Sequence, residues 1–263
     1  MAGRLPKEIP YKQYRKIGTL LQDFREYILK PPENRFELLI RCAGQLFLFT
    51  EALMSDAAQV AELLDVLRLL RESSGPGVVA AEKTAMERLI WLASECARFL
   101  AEEKGKRATS ATEAAPDVAQ DVGPTAAVLA LLVAFARDTL AFKRAHDSFG
   151  GERRSLAFEL LGAASVALDL SDVAALARVT LKGKKTGRDV LGALLFLEAY
   201  YSHNDERVSD EMMDELLAFA EQTDSRSLAV GALNVLVQTN CISDLQALSR
   251  IDDWKDAHRY GGT

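Results

Sequence analysis

A stretch of 26 residues, Arg154–Val179, recurs as Arg226–Ile251 without a gap, at an offset of 72 residues. Ten of the 26 aligned positions are identical, including the opening Arg-Ser-Leu-Ala and a Ser-Asp pair six residues before the closing Arg. A weaker copy lies between them, Arg188–Tyr201 followed by Ser209–Leu217. The three openings, Arg154, Arg188 and Arg226, stand 34 and 38 residues apart. This defines a unit of about 36 residues: a helix, a short turn, a Ser-Asp cap and a second helix. Such a hairpin cannot bury its apolar stripe alone, so a chain built this way must stack its units.

The rest of the chain supports helices as well. Hydrophobic residues make up 49% of the 263, with only 7 Pro and 16 Gly. Ala and Leu dominate and β-branched runs are scarce, which favours helix. Tyr14, Ile17, Leu21, Phe24 and Ile28 alternate at spacings of three and four, predicting a first helix over Tyr11–Leu29 that Pro31-Pro32 ends. A second helix is expected over Glu33–Met54, then an N-cap at Ser55-Asp56 and a third with Val60, Leu63, Leu64, Leu67 and Leu70 inward. Ser73–Gly77 reads as a turn cluster, and a fourth helix follows over Val79–Glu102. From Lys104 to Pro124 the hydrophobic period disappears, which predicts a linker or long surface loop. The domain reading is therefore 1–103 as an N-terminal helical region, 104–124 as linker, and 125–263 as the repeat region. A fifth helix over Thr125–His146 leads to Gly150-Gly151, read as its break.

A helix-turn-helix unit of this length resembles the HEAT/armadillo class over residues 152–255. The residues that carry the likeness are Asp172 with Arg178 and Asp244 with Arg250, an acid opening the second helix and an arginine six residues on. The middle unit has Asp210 but Leu216 in the arginine's place, and the proline frequent in the first HEAT helix is missing throughout. The resemblance implies an all-α fold of stacked antiparallel hairpins, a right-handed α-solenoid of about 10–11 helices. It also implies a charge ladder between repeats and a concave face lined by the second helices.

The chemistry-bearing residues are few. Lys182, Lys184, Lys185 and Arg188 form the sharpest basic cluster, but the upstream glycine and strand of a phosphate loop are missing. They read as a solvated inter-repeat turn that could meet an acidic partner. His146, His203 and His258 have no second ligand at metal spacing, so no metal site is expected. His203-Asn-Asp-Glu206 with Asp210, Glu211, Asp214 and Glu215 is the densest acidic patch, where the acids suit a helix N-terminus. Cys42, Cys96 and Cys241 sit in apolar helical patterns and read as buried thiols of a reducing compartment. Of the two tryptophans, Trp254 near the C-terminus is expected to be the more exposed. Of Tyr200 and Tyr201, one should pack and one stay half-exposed.

No nucleophile elbow, dinucleotide fingerprint or P-loop is present, so no catalytic residue and no cofactor are expected. A net charge of −6 disfavours a nucleic-acid binder. The first residues hold no apolar signal core, and the run Ala126–Ala136 is shorter than the roughly 20 residues a bilayer needs. The expectation is a cytoplasmic, non-enzymatic scaffold or adaptor with a protein partner and no membrane contact, and a homo-oligomer left open. Two other readings stand behind it: nucleic-acid binding through the basic cluster, and an all-α enzyme with a pocket between helices.

Overall fold

A computed structural model of the chain describes residues 13–75, 77–110, 123–144, 147–183, 187–203 and 208–259. Among these residues the fold is all-α, with no strand. Helix α1 covers Ile17–Leu29 and buries the stripe Ile17, Leu20, Leu21, Phe24 and Ile28. It starts later than the periodicity predicts, and Tyr14 is buried ahead of it, donating its hydroxyl to Asp23 at 2.7 Å.

The expected second helix is broken into three pieces: α2 (Arg35–Gln45), a 3-10 turn (Leu46–Phe49) and α3 (Thr50–Met54). In the 3-10 turn, residues three apart eclipse one another. Leu46 and Phe49 are therefore buried together while Phe47 and Leu48 stay exposed. Helix α4 (Ala57–Glu72) opens on Asp56, whose carboxylate accepts from the Gln59 backbone N–H at 3.0 Å, as the cap reading predicts.

Helix α5 runs from Val78 to Ser110, so the first part of the expected linker is helical. Polar residues there still form helix, because straight-chain Glu and Lys have good helix propensity and Lys106 pairs with Glu103 one turn away. Residues 111–122 lie outside the described residues. Helix α6 covers Pro124–Ala141, with Pro124 at its first position. It ends earlier than expected, and Gly150-Gly151 open α7 (Gly150–Ala164) rather than break α6. By length and composition α6 could cross a bilayer, its 18 residues averaging a hydropathy of 1.5. The shorter run counted from the sequence missed the apolar turns that flank it. Here Val128, Leu129, Leu132, Phe135 and Ala136 are buried in a helix that packs on α4, α5 and α7.

The repeat then supplies α8 (Ser171–Gly183), α9 (Arg188–His203), α10 (Asp210–Gln222), α11 (Arg226–Gln238) and α12 (Asp244–Arg259). Helix α2 packs on α5, α5 on α7, α7 on α9 and α9 on α11, forming one row. Pairings in register show that neighbours in this row run parallel: Phe36 meets Gly77 while Phe47 lies under Arg88, and Ser155 meets Gly192 while Gly162 meets Ala199. The other helices cover one side of the row, α4 and α6 against α5, α8 against α9, α10 against α11 and α12 against α11. One apolar core continues from Tyr14 to Ile251.

The two sets of repeat helices meet differently. In the first set, small residues bring backbones together: Ser155 lies so near Gly192 that a Cβ there would be 2.4 Å from the Ser155 Cα. Next to this contact Phe158 meets Phe196 at a tilt and Phe196 stacks on Tyr200, with ring centroids 6.2 and 5.7 Å apart. The second helices are bridged by long side chains. Arg178 reaches Glu215 on α10 at 3.2 Å, and Arg250 reaches Glu221 on α10 at 2.8 Å. Asp172 takes Arg137 of α6 at 2.8 Å. The arginines singled out from the sequence do join neighbouring helices, but their acceptors are glutamates on α10, not the Ser-Asp aspartates.

Candidate functional site

The basic cluster is only partly within view. Lys184 and Lys185 lie outside the described residues. Lys182 pairs with Glu215 on α10 at 2.8 Å, and Arg188 pairs with Glu152 on α7 at 3.1 Å. The two described members therefore face acids in different sets of helices and are not brought together.

His146, Asp205 and Glu206 also lie outside the described residues. The His203 ring bonds the Ala199 carbonyl at 2.8 Å, and His258 stacks on Trp254 with centroids 4.3 Å apart. Among the described residues no group of His, Cys, Asp and Glu could hold a metal ion. Cys42 and Cys96 are buried, and burial pushes the Cys96 thiol up to about 12. Cys241 departs from the expectation: it is half-buried in the turn after α11, not in a helix. The tryptophans reverse as well. Trp91 is 43% exposed, whereas Trp254 is half-buried and donates its indole N–H to the Thr223 carbonyl at 2.8 Å. Tyr200 is buried and Tyr201 half-buried, as expected.

Two clefts deserve a chemical reading. The first, about 360 Å³ between the α4–α5 and α6–α7 turns, holds the most deeply buried charges. Arg153, 4% exposed, is gripped by both oxygens of Glu82 and by Asp147, with the Phe142 and Phe149 rings 5.3 and 5.2 Å from its guanidinium carbon. Arg71 pairs with Asp138 at 3.0 Å, and Arg144 donates to the Ser73 carbonyl at 2.8 Å. Each cation already has its acceptor, so this cleft is a lock between two turns. The second cleft, about 210 Å³ between α10, α11 and α12, is lined by Leu217, Ala229, Leu233, Ile251 and Trp254, an apolar seam.

The open side of the first-helix row is different. Each helix of that row packs on row neighbours and on at least one helix outside the row, and its exposed and half-buried positions recur at helical spacing as a less-buried stripe. On α5 the stripe carries Lys83, Glu87 and Trp91, on α7 Glu152 and Glu159, on α9 Leu195 and Glu198, and on α11 Val230 and Asn234. Glu152 is neutralised by Lys83 at 2.7 Å and by Arg188. Among the described residues, Glu159 and Glu198 have no salt-bridge partner. Burial holds the Glu198 carboxyl above the usual carboxylate range. Burial does the same to Glu159, where a Ser155 hydroxyl bond at 3.3 Å and Lys83 oppose it while Glu87 and Glu152 add to it.

Sequence reasoning missed this stripe because single glutamates look like ordinary helix surface. A signal was present: after its first turn and a half, α7 has Glu159 as its only charged residue, and after Asp189, α9 has Glu198 as its only acid. A lone acid in an otherwise apolar helix is a half-buried acid. In comparisons with known proteins, the chain matches no family model, no curated protein and no solved structure.

Proposed function

We propose that this chain is a HEAT-like helical-repeat scaffold, non-enzymatic and cytoplasmic, that seats a partner protein on the open face of α5, α7, α9 and α11. The single observation behind this is that face itself: exposed Trp91 and Leu195 beside Glu159 and Glu198, which among the described residues are in no salt bridge. An exposed aromatic such as Trp91 is the kind of anchor enriched in protein-binding surfaces, with charged residues at their rim. We take the face to be concave, since small-residue contacts draw the first helices close while arginine-length bridges separate the second helices. That differs from the family expectation of second helices lining the inner surface. The carboxylates also disfavour a nucleic-acid partner on this face.

The test is site-specific photo-crosslinking of the full chain to a partner from its native source. Crosslinkers at Trp91 and Leu195 should capture the same stoichiometric protein. Capture confined to the outer apolar residues Leu176, Val179 and Leu245 would overturn the proposal.

A further inference from the structure

We infer that the segment seated on this face is basic, presenting Lys or Arg side chains to Glu159 and Glu198 and an aliphatic or aromatic side chain to Trp91 and Leu195; this rests on the scaffold reading above.

The argument starts from what the fold loses by keeping these carboxylates. Both glutamates are half-buried, and the register that sets Ser155 against Gly192 and Gly162 against Ala199 places Glu159 level with Phe196, between Leu195 and Glu198. Burial removes part of their hydration, Lys83 offsets some of the loss at Glu159, and among the described residues no salt bridge reaches either carboxylate. Glu87 stands one helical turn before Trp91 and within electrostatic reach of Glu159, so acids of α5 and α7 act on one another across this face. Lys83, the cation that acts on Glu159, is already engaged by Glu152 at the edge of the stripe, as is Arg188. Alanine or glutamine at 159 and 198 would serve the stack better, so the acids point outward to a positive ligand. A free metal ion does not fit, because among the described residues no group of acids converges closely enough to ligate one. A cationic side chain on a protein segment does, since an ammonium or guanidinium restores a hydrogen-bonded counter-charge while its methylene stem can lie along Leu195, one turn before Glu198 on α9.

The experiment uses the full-length protein and two fluorescent peptides of equal length, one of alternating Lys and Leu, the other of alternating Glu and Leu. Fluorescence anisotropy should show the Lys/Leu peptide binding and the Glu/Leu peptide not. The double variant E159Q/E198Q should weaken Lys/Leu binding by about tenfold, with a shallower salt dependence. Neutral Gln relieves the burial of charge, so this variant folds at least as well as the parent and lost binding cannot be lost structure. A control at the α10 N-terminus, D210N/E211Q/D214N, should leave the affinity unchanged. Equal or tighter binding of the Glu/Leu peptide, no binding of either, an unaffected E159Q/E198Q, or an equal loss in the control would each overturn the inference. If the inference fails while native partners still crosslink at Leu195, only the basic preference falls. Crosslinks that avoid Trp91 and Leu195 remove the face itself.

Discussion

Gly192→Ala is the most direct test of how the repeat helices pack. A methyl group at position 192 would sit 2.4 Å from the Ser155 Cα, 2.8 Å from its Oγ and 2.9 Å from its carbonyl oxygen. Non-bonded carbons settle at about 3.5–4.0 Å, so α7 and α9 must separate by roughly 1 Å. The obstacle is backbone and cannot rotate away, which puts the cost at the upper end of the about 1–3 kcal/mol typical of overpacking. Alanine returns about 1 kcal/mol through its better helix propensity. The net loss is about 2 kcal/mol, or a fall in Tm of about 4–8 °C for a chain of this size. Thermal and urea melts followed by circular dichroism would measure it. Gly162→Ala meets the Ala199 Cβ at 3.3 Å and Gly231→Ala the Leu194 Cδ1 at 3.2 Å, side-chain rather than backbone atoms and farther off, so both should cost less. Gly44→Ala, with nothing within 4 Å, should be neutral or stabilising. A Gly192→Ala protein as stable as the parent would refute the close approach of α7 and α9.

Glu159→Gln and Glu198→Gln should each raise the melting temperature at neutral pH. Their folded carboxyl pKa values stand above the unfolded one, so wild-type stability falls as pH rises from the unfolded value through the folded one; a pH series of melts in which the gain does not shrink on acidification would contradict this. Glu82→Gln removes one of the two counter-charges of buried Arg153, with Asp147 remaining, and should cost about 1–3 kcal/mol in urea titration; Asp147→Asn on top of it leaves the guanidinium without a carboxylate and should bring the total to about 3–5 kcal/mol. Arg250→Ala should cost under about 1 kcal/mol, because its pair with Glu221 is exposed. Acrylamide should quench Trp91 more strongly than Trp254, measured in Trp254→Phe and Trp91→Phe proteins respectively; the reverse order would exchange their assigned environments.

What the sequence made legible was local. The stripe of α1, the Asp56 cap and the Ser209 cap of α10 follow from spacing and side-chain chemistry within a few residues. The Ser-Asp repeat located the second helices because a cap is a local device. What it left hidden depends on pairs far apart in the chain. Arg153 and Glu82 meet across 71 residues, and no pattern in either segment names the other. Helix periodicity says that Trp91 and Trp254 each lie on a helix, not which neighbour covers them; Thr223, 31 residues away, is what holds Trp254. The break at Leu46–Phe49 was missed because Leu-Phe-Leu-Phe is equally apolar in α and 3-10 form, and burial of Leu46 with Phe49 decides between them.

The division of residues between the two sets of repeat helices explains why the open face is electrostatically unsettled. The bridges between second helices are partly exposed pairs, Arg178 28% and Glu215 25%, and each contributes at most about 1 kcal/mol. They set spacing and orientation more than stability. Cohesion comes from the first helices, where Leu160, Leu194, Phe196 and Leu197 are fully buried around the Ser155–Gly192 contact. Burying side chains of that size contributes roughly 1.5–3 kcal/mol each, which outweighs the bridges. Tight packing of this row has a consequence at its surface. Acids placed on it keep less water than acids on an isolated helix, so Glu159 and Glu198 ionise against resistance. On the reading proposed above, a cationic side chain arriving from outside is the group that relieves this penalty. Close first-helix packing and the proposed preference for a basic partner are thus linked: any substitution that loosens α7 from α9 should rehydrate the two carboxylates and weaken the proposed hold on a positive charge.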